Sequence, residues 1–93
     1  MPFPHLDNFI GAYLNQDYAY YADTVEGVID VYRAEFDRAD IDTLRQEIAH
    51  FIREHPDDLD EAFHAAYWYD FDPTLWNMTT RQFLDLLDAR LRM

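Results

Sequence analysis

Apolar side chains recur along this chain every three or four residues, which is the spacing of one buried face of an α-helix. Five segments show this spacing, and the apolar-polar alternation of strands is almost absent. The residues predicted to face inward are, segment by segment, Leu6, Phe9, Ile10, Tyr13 and Leu14; Val25, Val28, Ile29, Tyr32 and Phe36; Ile41, Leu44, Ile48, Phe51 and Ile52; Leu59, Ala62, Phe63, Ala66 and Tyr67; and Phe83, Leu84, Leu87 and Leu91. The pattern predicts an all-α fold, a single compact bundle of about five helices with short connections.

Polar residues and prolines mark where these helices are expected to begin and end. Pro4 suits the first turn of the first helix. Pro56 is expected to end the third, because the residue before a proline avoids the helical region. The predicted N-cap residues are Asp23, with Glu26 completing a capping box; Asp40 or Asp42; Asp57 or Asp58; and Thr79, with Gln82 completing a second box.

Length and composition favour one domain that folds without disulfide bonds. The chain has 93 residues and no cysteine, so we expect a single helical domain over residues 1–93, with no disulfide or thiolate metal site. The segment from Met1 to His5 lacks the basic and apolar regions of a signal peptide. The longest apolar and aromatic run, from Phe63 to Tyr69, is too short to cross a bilayer. We therefore expect a cytoplasmic protein.

The balance of charge is the most unusual property of the composition. Nineteen Asp and Glu residues stand against seven arginines and no lysine, which gives a formal net charge of -12. Such a field repels phosphates and anionic lipids, so we expect no direct binding to nucleic acid or to a membrane. It attracts a basic protein and speeds the encounter with it. A solvated surface that only keeps the protein soluble is the plainer explanation of the same charge.

Catalytic and metal-binding chemistry finds little support. Serine and cysteine, the commonest nucleophiles, are absent, and no glycine-rich phosphate loop is present. Two Glu-x-x-His pairs, Glu47 with His50 and Glu61 with His64, have the spacing used by di-iron helical bundles. Glu26 and Glu35 are candidates for the other two ligands of such a site. The helical phase places His50 opposite the buried stripe with Glu47 on its flank, and it places the second pair on a polar face. We interpret these as solvent-facing pairs, and we expect no enzyme activity, no metal and no cofactor.

Aromatic residues concentrate in two connections, beyond what one helical stripe can bury. They are Tyr18, Tyr20 and Tyr21 in the first connection, and Trp68, Tyr69, Phe71 and Trp76 in the second. Tyr and Trp are typical anchors of protein interfaces, but such rings also pack beneath their own loops. Asp70 and Asp72 alternate with the second group, an arrangement that suits an arginine or a lysine through charge and ring face together.

Three stretches of the chain resemble a known family. The opening Phe3-Pro4-x-Leu6-x-x-Phe9-x-x-x-Tyr13-x-x-Gln16-Asp17, the following Asp23-Thr24-x-Glu26 and the late Met78-Thr79-x-Arg81-x-Phe83-Leu84 are similar to one group of bacterial contact-dependent growth inhibition (CDI) immunity proteins. The resemblance covers almost the whole chain, and its N-terminal motif is the more specific part. The chain departs from the family at Tyr18, where tryptophan is often expected, and residues 68–78 have no match.

This resemblance implies a cytosolic, non-enzymatic antidote. Such a protein binds the toxic C-terminal domain delivered by a neighbouring cell, often a nuclease, and blocks its active site or substrate path. The acidic charge suits a nuclease, because a surface that holds phosphates is basic and accepts carboxylates instead. The N-terminal motif itself is interpreted as structural: its apolar residues form core, and Gln16 and Asp17 brace the first turn.

The predicted partner-binding residues surround the start of the fourth helix and the loop after it. They are Asp57, Asp58, Asp60, Glu61, Tyr69, Asp70 and Asp72. The alternative function is a small acidic adaptor, or a nucleic-acid mimic that occupies another basic protein. The sequence leaves open whether the protein is a monomer or a homodimer, since the aromatic excess suits either state.

Overall fold

The computed structural model describes residues 3–14 and 22–92. Within these ranges the chain is helical and no strand occurs, which confirms the all-α prediction. The elements are Pro4–Asn8 (α1), continued directly by the π-helical turn Phe9–Tyr13, then Val25–Glu35 (α2), Arg38–Glu54 (α3), Leu59–Tyr67 (α4), the 3-10 turn Pro73–Trp76, and Thr80–Arg92 (α5). No helix in the described ranges combines the length and the apolar character that crossing a membrane requires.

The last helix, α5, lies at the centre of the bundle. It packs against α2, α3, α4 and the 3-10 turn, while α1 packs across α3. The predicted apolar face of α5 is fully buried, and the rings of Phe63 and Phe71 lie against Phe83 with centroids 5.8 and 4.7 Å away. Burial of this one face therefore joins the surrounding elements in a single hydrophobic core.

The predicted inward-facing residues coincide with the core at every position but one. All the others are buried or pack, partly buried, against it. Ala66 is exposed, so its predicted inward position is wrong. The short helix α4 turns Phe63 and Tyr67 inward, and Ala66 falls at the solvent edge of that narrow face.

The start of α2 is capped by Thr24 rather than by Asp23, the predicted cap. Thr24 has an extended backbone, and its Oγ1 accepts a hydrogen bond from the Gly27 N–H at 3.0 Å. A Cβ added to Gly27 would lie 2.7 Å from the Cβ of Ala22 and 3.2 Å from the Thr24 Oγ1. The incoming chain thus passes close over the first turn, which explains the glycine inside this helix.

The start of α3 also differs from the prediction. The Asp37 Oδ1 accepts a hydrogen bond from the Asp40 N–H at 2.9 Å, so Asp37 is the cap and neither Asp40 nor Asp42 is. Several aspartates stand close together in this segment, and each is chemically able to cap a helix. The apolar spacing alone does not choose among them.

The two later helix starts follow the sequence more closely. Asp58 occupies the N-cap position of α4, but its side chain makes no capping hydrogen bond and lies 3.2 Å from the His55 Nδ1 instead. At α5 the predicted capping box is confirmed. The Thr79 Oγ1 accepts from the Gln82 N–H at 3.1 Å, and the Gln82 Oε1 accepts from the Thr79 N–H at 2.9 Å.

Glu47 is buried, so the prediction that it faces solvent is wrong; only 8 % of it is exposed. Its Oε1 accepts hydrogen bonds from the backbone N–H groups of His5 and Leu6, at 2.9 and 3.0 Å. Its Oε2 lies 2.9 Å from the His5 Nδ1. The first helix packs over this flank of α3, and the open N–H groups at its start need an acceptor. Glu47 therefore caps α1 from another helix.

Two tyrosine hydroxyls tie the N-terminal segment to the rest of the bundle. Tyr67 at the end of α4 donates to the Asp7 Oδ1 at 2.6 Å, and Tyr13 donates to the Glu35 Oε2 at 2.6 Å. Burial, followed by the hydrogen bond to Asp7, raises the pKa of the Tyr67 phenol well above its usual range. The C-terminal end of α4 is thereby held in place, while its N-terminal end and the loop after it form the surface described next.

Candidate functional site

An open cleft lies where the start of α4, the 3-10 turn and the start of α5 meet. Its volume is about 440 Å³. It is lined by Asp60, Glu61, Phe63, His64, Phe71, Asp72, Pro73, Thr74, Thr79 and Thr80. Phe63, Phe71 and Pro73 are buried and supply an apolar floor. The charged residues of the lining are three carboxylates without an arginine, and we refer to this site as the α4 cleft.

Asp60 fixes one wall of the α4 cleft to the other. It lies in the first turn of α4, where the helix dipole favours a negative charge. Its Oδ1 accepts a hydrogen bond from the backbone N–H of Thr80, the first residue of α5, at 3.1 Å. One carboxylate oxygen thus serves an open helical N–H group, while the side chain as a whole remains exposed at the cleft.

Asp72 supplies the carboxylate on the opposite side of the α4 cleft. Its Oδ1 accepts hydrogen bonds from the Thr74 Oγ1 at 2.7 Å and from the Thr74 N–H at 2.9 Å, and it thereby caps the 3-10 turn. These two bonds, the hydroxyl first, lower the pKa of the Asp72 carboxyl below its usual range. The α4 cleft therefore holds a carboxylate that stays ionised to a lower pH than an unpaired aspartate does.

The other four predicted partner-binding residues lie outside the α4 cleft. Asp57 and Asp58 are exposed in the turn before α4, and Asp58 pairs with His55. Asp70 points towards the N-terminal segment, because its Oδ2 lies 3.7 Å from the place where a Cβ on Gly11 would be. Tyr69 is exposed in the loop after α4.

The aromatic residues of the second connection divide between core and surface. Phe71 is buried and Trp76 packs, partly buried, against the core. Trp68 and Tyr69 are 61 % and 69 % exposed, and their rings meet edge to face with centroids 5.7 Å apart. Leu75 is 80 % exposed in the 3-10 turn and was not predicted as a surface residue, since this segment has no period from which to read its faces.

The predicted aromatic group of the first connection, Tyr18, Tyr20 and Tyr21, lies outside the described residues, as do Gln16 and Asp17. Among the residues that the structure describes, no three of the His, Asp and Glu side chains come together as a metal site. The two Glu-x-x-His pairs point apart: Glu47 faces α1, whereas Glu61 and His64 are exposed at the α4 cleft.

A larger cavity of about 630 Å³ lies between α3 and α5. Its charged lining mixes Arg38 and Arg45 with Asp42, Asp85 and Asp88. The Arg45 Nε donates to the Asp88 Oδ1 at 3.0 Å. Because opposite charges largely offset one another here, this cavity attracts a basic partner less than the α4 cleft does.

Comparison with known proteins bears on what these surfaces do. A model of the CdiI immunity proteins matches residues 2–91. The chain belongs to the CdiI immunity protein family. The resemblance predicted from the three sequence motifs is confirmed, and with it the general task of neutralising a CDI toxin. No significant match to a curated protein or to a solved structure was found.

In this CdiI-family chain, the described motif residues are mainly structural. Leu6, Phe9 and Tyr13 are buried in the core, as predicted. Phe3 packs on the Phe51 ring at a centroid distance of 5.4 Å. The late motif supplies the capping box and the buried face of α5. The described motif residues therefore build the core and cap of this chain rather than an exposed surface.

Proposed function

We propose that this CdiI-family chain neutralises its cognate toxin domain by stoichiometric binding, without catalysis, and that the α4 face makes the contact. By the α4 face we mean the α4 cleft together with the exposed pair Trp68 and Tyr69 and the exposed residue Leu75. The observation that carries the proposal is the convergence of Asp60, Glu61 and Asp72 around an apolar floor, next to unburied aromatic rings.

The chemistry of the α4 cleft suits an arginine or lysine side chain of the partner. The carboxylates offer charge-assisted hydrogen bonds to the cationic head. The floor of Phe63, Phe71 and Pro73 offers apolar contact to the aliphatic stem, which long basic side chains retain. A pocket of this composition selects basic residues over acidic ones.

The exposed rings supply the desolvated contact that charges alone do not. Surface ion pairs typically contribute less than about 1 kcal/mol each. Buried Trp and Tyr anchors at an interface contribute about 2 kcal/mol or more. Trp68 and Tyr69 already contact each other, so little side-chain freedom is lost when a partner covers them.

We infer that the toxin is a nuclease and that its phosphate-binding surface is what the α4 face covers. Such a surface is basic, and the net charge of -12 steers it towards this chain. A protein seated there keeps nucleic acid from the active site or from the path to it. The whole chain of residues 1–93 then acts as one antidote domain in the cytoplasm.

The test compares two triple variants for their affinity to the toxin domain encoded directly upstream of the gene. The first carries Asp60→Asn, Glu61→Gln and Asp72→Asn, which removes the charge of the α4 cleft but keeps an oxygen that can accept each hydrogen bond. The matched control carries Asp23→Asn, Glu26→Gln and Asp85→Asn, three exposed acids outside the cleft. Both variants change the net charge by the same amount.

We expect the cleft variant to weaken binding by about 30-fold or more, because three charge-assisted contacts to one basic side chain or patch are lost together. The control should weaken it by no more than about threefold, through general electrostatics. Equal losses in the two variants would show that only the overall charge matters, and the proposed face would be wrong. A chain that binds no upstream-encoded toxin would point to the acidic-adaptor alternative.

A further inference from the structure

Four of the seven arginines gather in one small cavity, where α2, α3 and α5 meet. The cavity has a volume of about 240 Å³. Its lining consists of Arg33, Arg38, Ile41, Asp42, Arg45, Leu91 and Arg92. None of these residues lines the α4 cleft or belongs to α4. A concentration of positive charge on so acidic a chain is unexpected from its composition, and we call this site the arginine pocket.

The arginines of this pocket are held by contacts that leave much of each guanidinium available. Asp88 links two of them, since its Oδ1 lies 3.0 Å from the Arg45 Nε and its Oδ2 lies 3.4 Å from the Arg92 Nε. The Arg33 Nη1 donates to the backbone oxygen of Arg90 at 2.8 Å. The Arg38 guanidinium makes no hydrogen bond or ion pair with a described residue. Terminal N–H groups therefore remain for a ligand.

We propose that the arginine pocket binds a small oxyanion of two or more negative charges, of the phosphate and pyrophosphate class. The planar guanidinium group pairs with such oxygens through two parallel hydrogen bonds. The first turn of α3, which includes Arg38 and Ile41, forms one wall of the pocket. Ile41 and Leu91 add apolar walls that reduce screening by water.

The charge balance limits the ligand to a small one. Four arginines against Asp42 and Asp88 give the pocket a formal charge of +2 (4 − 2), so the rest of the chain carries -14 (-12 − 2). A strand of nucleic acid extends well beyond the Debye length of about 8 Å and meets this surrounding negative charge. A compact anion within a cavity of about 240 Å³ does not.

The test is calorimetric titration of the full chain with inorganic phosphate, with pyrophosphate and with a single-stranded oligonucleotide, at constant ionic strength. We expect saturable binding of pyrophosphate at one site, weaker binding of phosphate, and none of the oligonucleotide. Arg38→Gln should weaken pyrophosphate binding about fivefold or more, because a charge-assisted donor is lost. Arg53→Gln is the matched control, since Arg53 lies near the end of the same helix, exposed and outside the pocket. It should change binding by less than about twofold.

A second variant protects the result from any effect on folding. Asp42→Asn removes the one carboxylate among the described residues of the lining, so it should tighten pyrophosphate binding about threefold, a gain that an unfolded protein does not give. The proposal is wrong if pyrophosphate binding does not saturate, or if Arg38→Gln and Arg53→Gln weaken it equally. It is also wrong if Asp42→Asn fails to strengthen it, or if the oligonucleotide binds as tightly as pyrophosphate.

Discussion

At the scale of single residues, Glu47 shows how a buried charge is retained in a small helical core. Its carboxylate accepts hydrogen bonds from two backbone N–H groups at the start of α1 and lies beside the His5 ring. The Nε2 of that ring lies 3.5 Å from the Asp40 Oδ1. A five-residue helix such as α1 is not stable alone. The contact with Glu47 therefore replaces the local cap that the sequence around Pro4 does not provide.

Replacing Glu47 should destabilise the protein more than replacing an exposed acid of the same helix. Glu47→Ala leaves the N–H groups of His5 and Leu6 buried without an acceptor, and we expect a loss of about 2–4 kcal/mol in the free energy of unfolding. Glu54→Ala, which removes an exposed residue paired with His50, should cost less than about 1 kcal/mol. Urea unfolding of both variants measures the difference. Equal losses would contradict the role assigned to Glu47.

The burial of Tyr32 leads us to predict that the protein loses stability in alkaline solution. It is fully buried, and its hydroxyl has no hydrogen-bond partner among the described residues. Burial, with smaller effects from Asp40 and Glu47, raises the pKa of Tyr32 to about 12. Burial favours the neutral phenol, so the folded state is penalised when Tyr32 ionises. The contribution of neutral Tyr32 to the free energy of unfolding is therefore complete below pH 10, the pKa of an exposed tyrosine. It is lost as the pH rises from 10 towards 12.

The pH dependence can be measured by urea unfolding between about pH 9 and 11.5. Ionisation of Tyr32 should account for about 2 kcal/mol of the decline in the free energy of unfolding. Tyr32→Phe should remove that part of the decline. It should not destabilise the protein at neutral pH, since the deleted hydroxyl has no hydrogen-bond partner among the described residues. Tyr69→Phe, at an exposed ring, is the control and should leave the decline unchanged. An unaltered decline in Tyr32→Phe would contradict this assignment.

At the scale of helices, the apolar period predicted the elements well because each helix buries one face. The stripes of α2, α3 and α5 followed directly from this rule. Helix starts were harder to predict, because the choice among neighbouring polar residues depends on where the preceding chain passes. Thr24 and Asp37 are the caps because each has an extended backbone and a side-chain oxygen that accepts from the N–H three residues later. Glu47 was misplaced because its partner donors lie on a helix more than forty residues away.

The two glycines should respond to alanine in opposite ways. Alanine normally stabilises a helix by about 1 kcal/mol over glycine. At Gly27 the new methyl group would meet the Cβ of Ala22 at 2.7 Å, so Gly27→Ala should instead destabilise by about 1–2 kcal/mol. At Gly11 the new group would meet, among the described residues, only the Asp70 Oδ2 at 3.7 Å, an ordinary contact, so Gly11→Ala should be neutral or stabilising. Thermal unfolding of both variants measures these signs, and a stabilising Gly27→Ala would contradict the close approach.

At the scale of the whole molecule, charge is distributed unevenly between two surfaces. Three carboxylates meet at the α4 cleft, and four arginines meet in the arginine pocket. The sequence predicted the acidic surface in part: Asp60, Glu61 and Asp72 converge, whereas Asp70 turns towards the N-terminal segment. The arginine pocket was not predicted, because its residues come from three helices and no local spacing relates them.

Hydrogen exchange of the chain with and without bound toxin domain tests whether the α4 face contacts the toxin. Backbone N–H groups covered by a partner exchange more slowly than in the free chain. We predict that the toxin slows exchange in residues 59–76, the segment that contains α4, Trp68, Tyr69 and the 3-10 turn. Exchange in α2 should change little. Protection concentrated in α2 and α3, with residues 59–76 unchanged, would contradict a contact between the α4 face and the toxin.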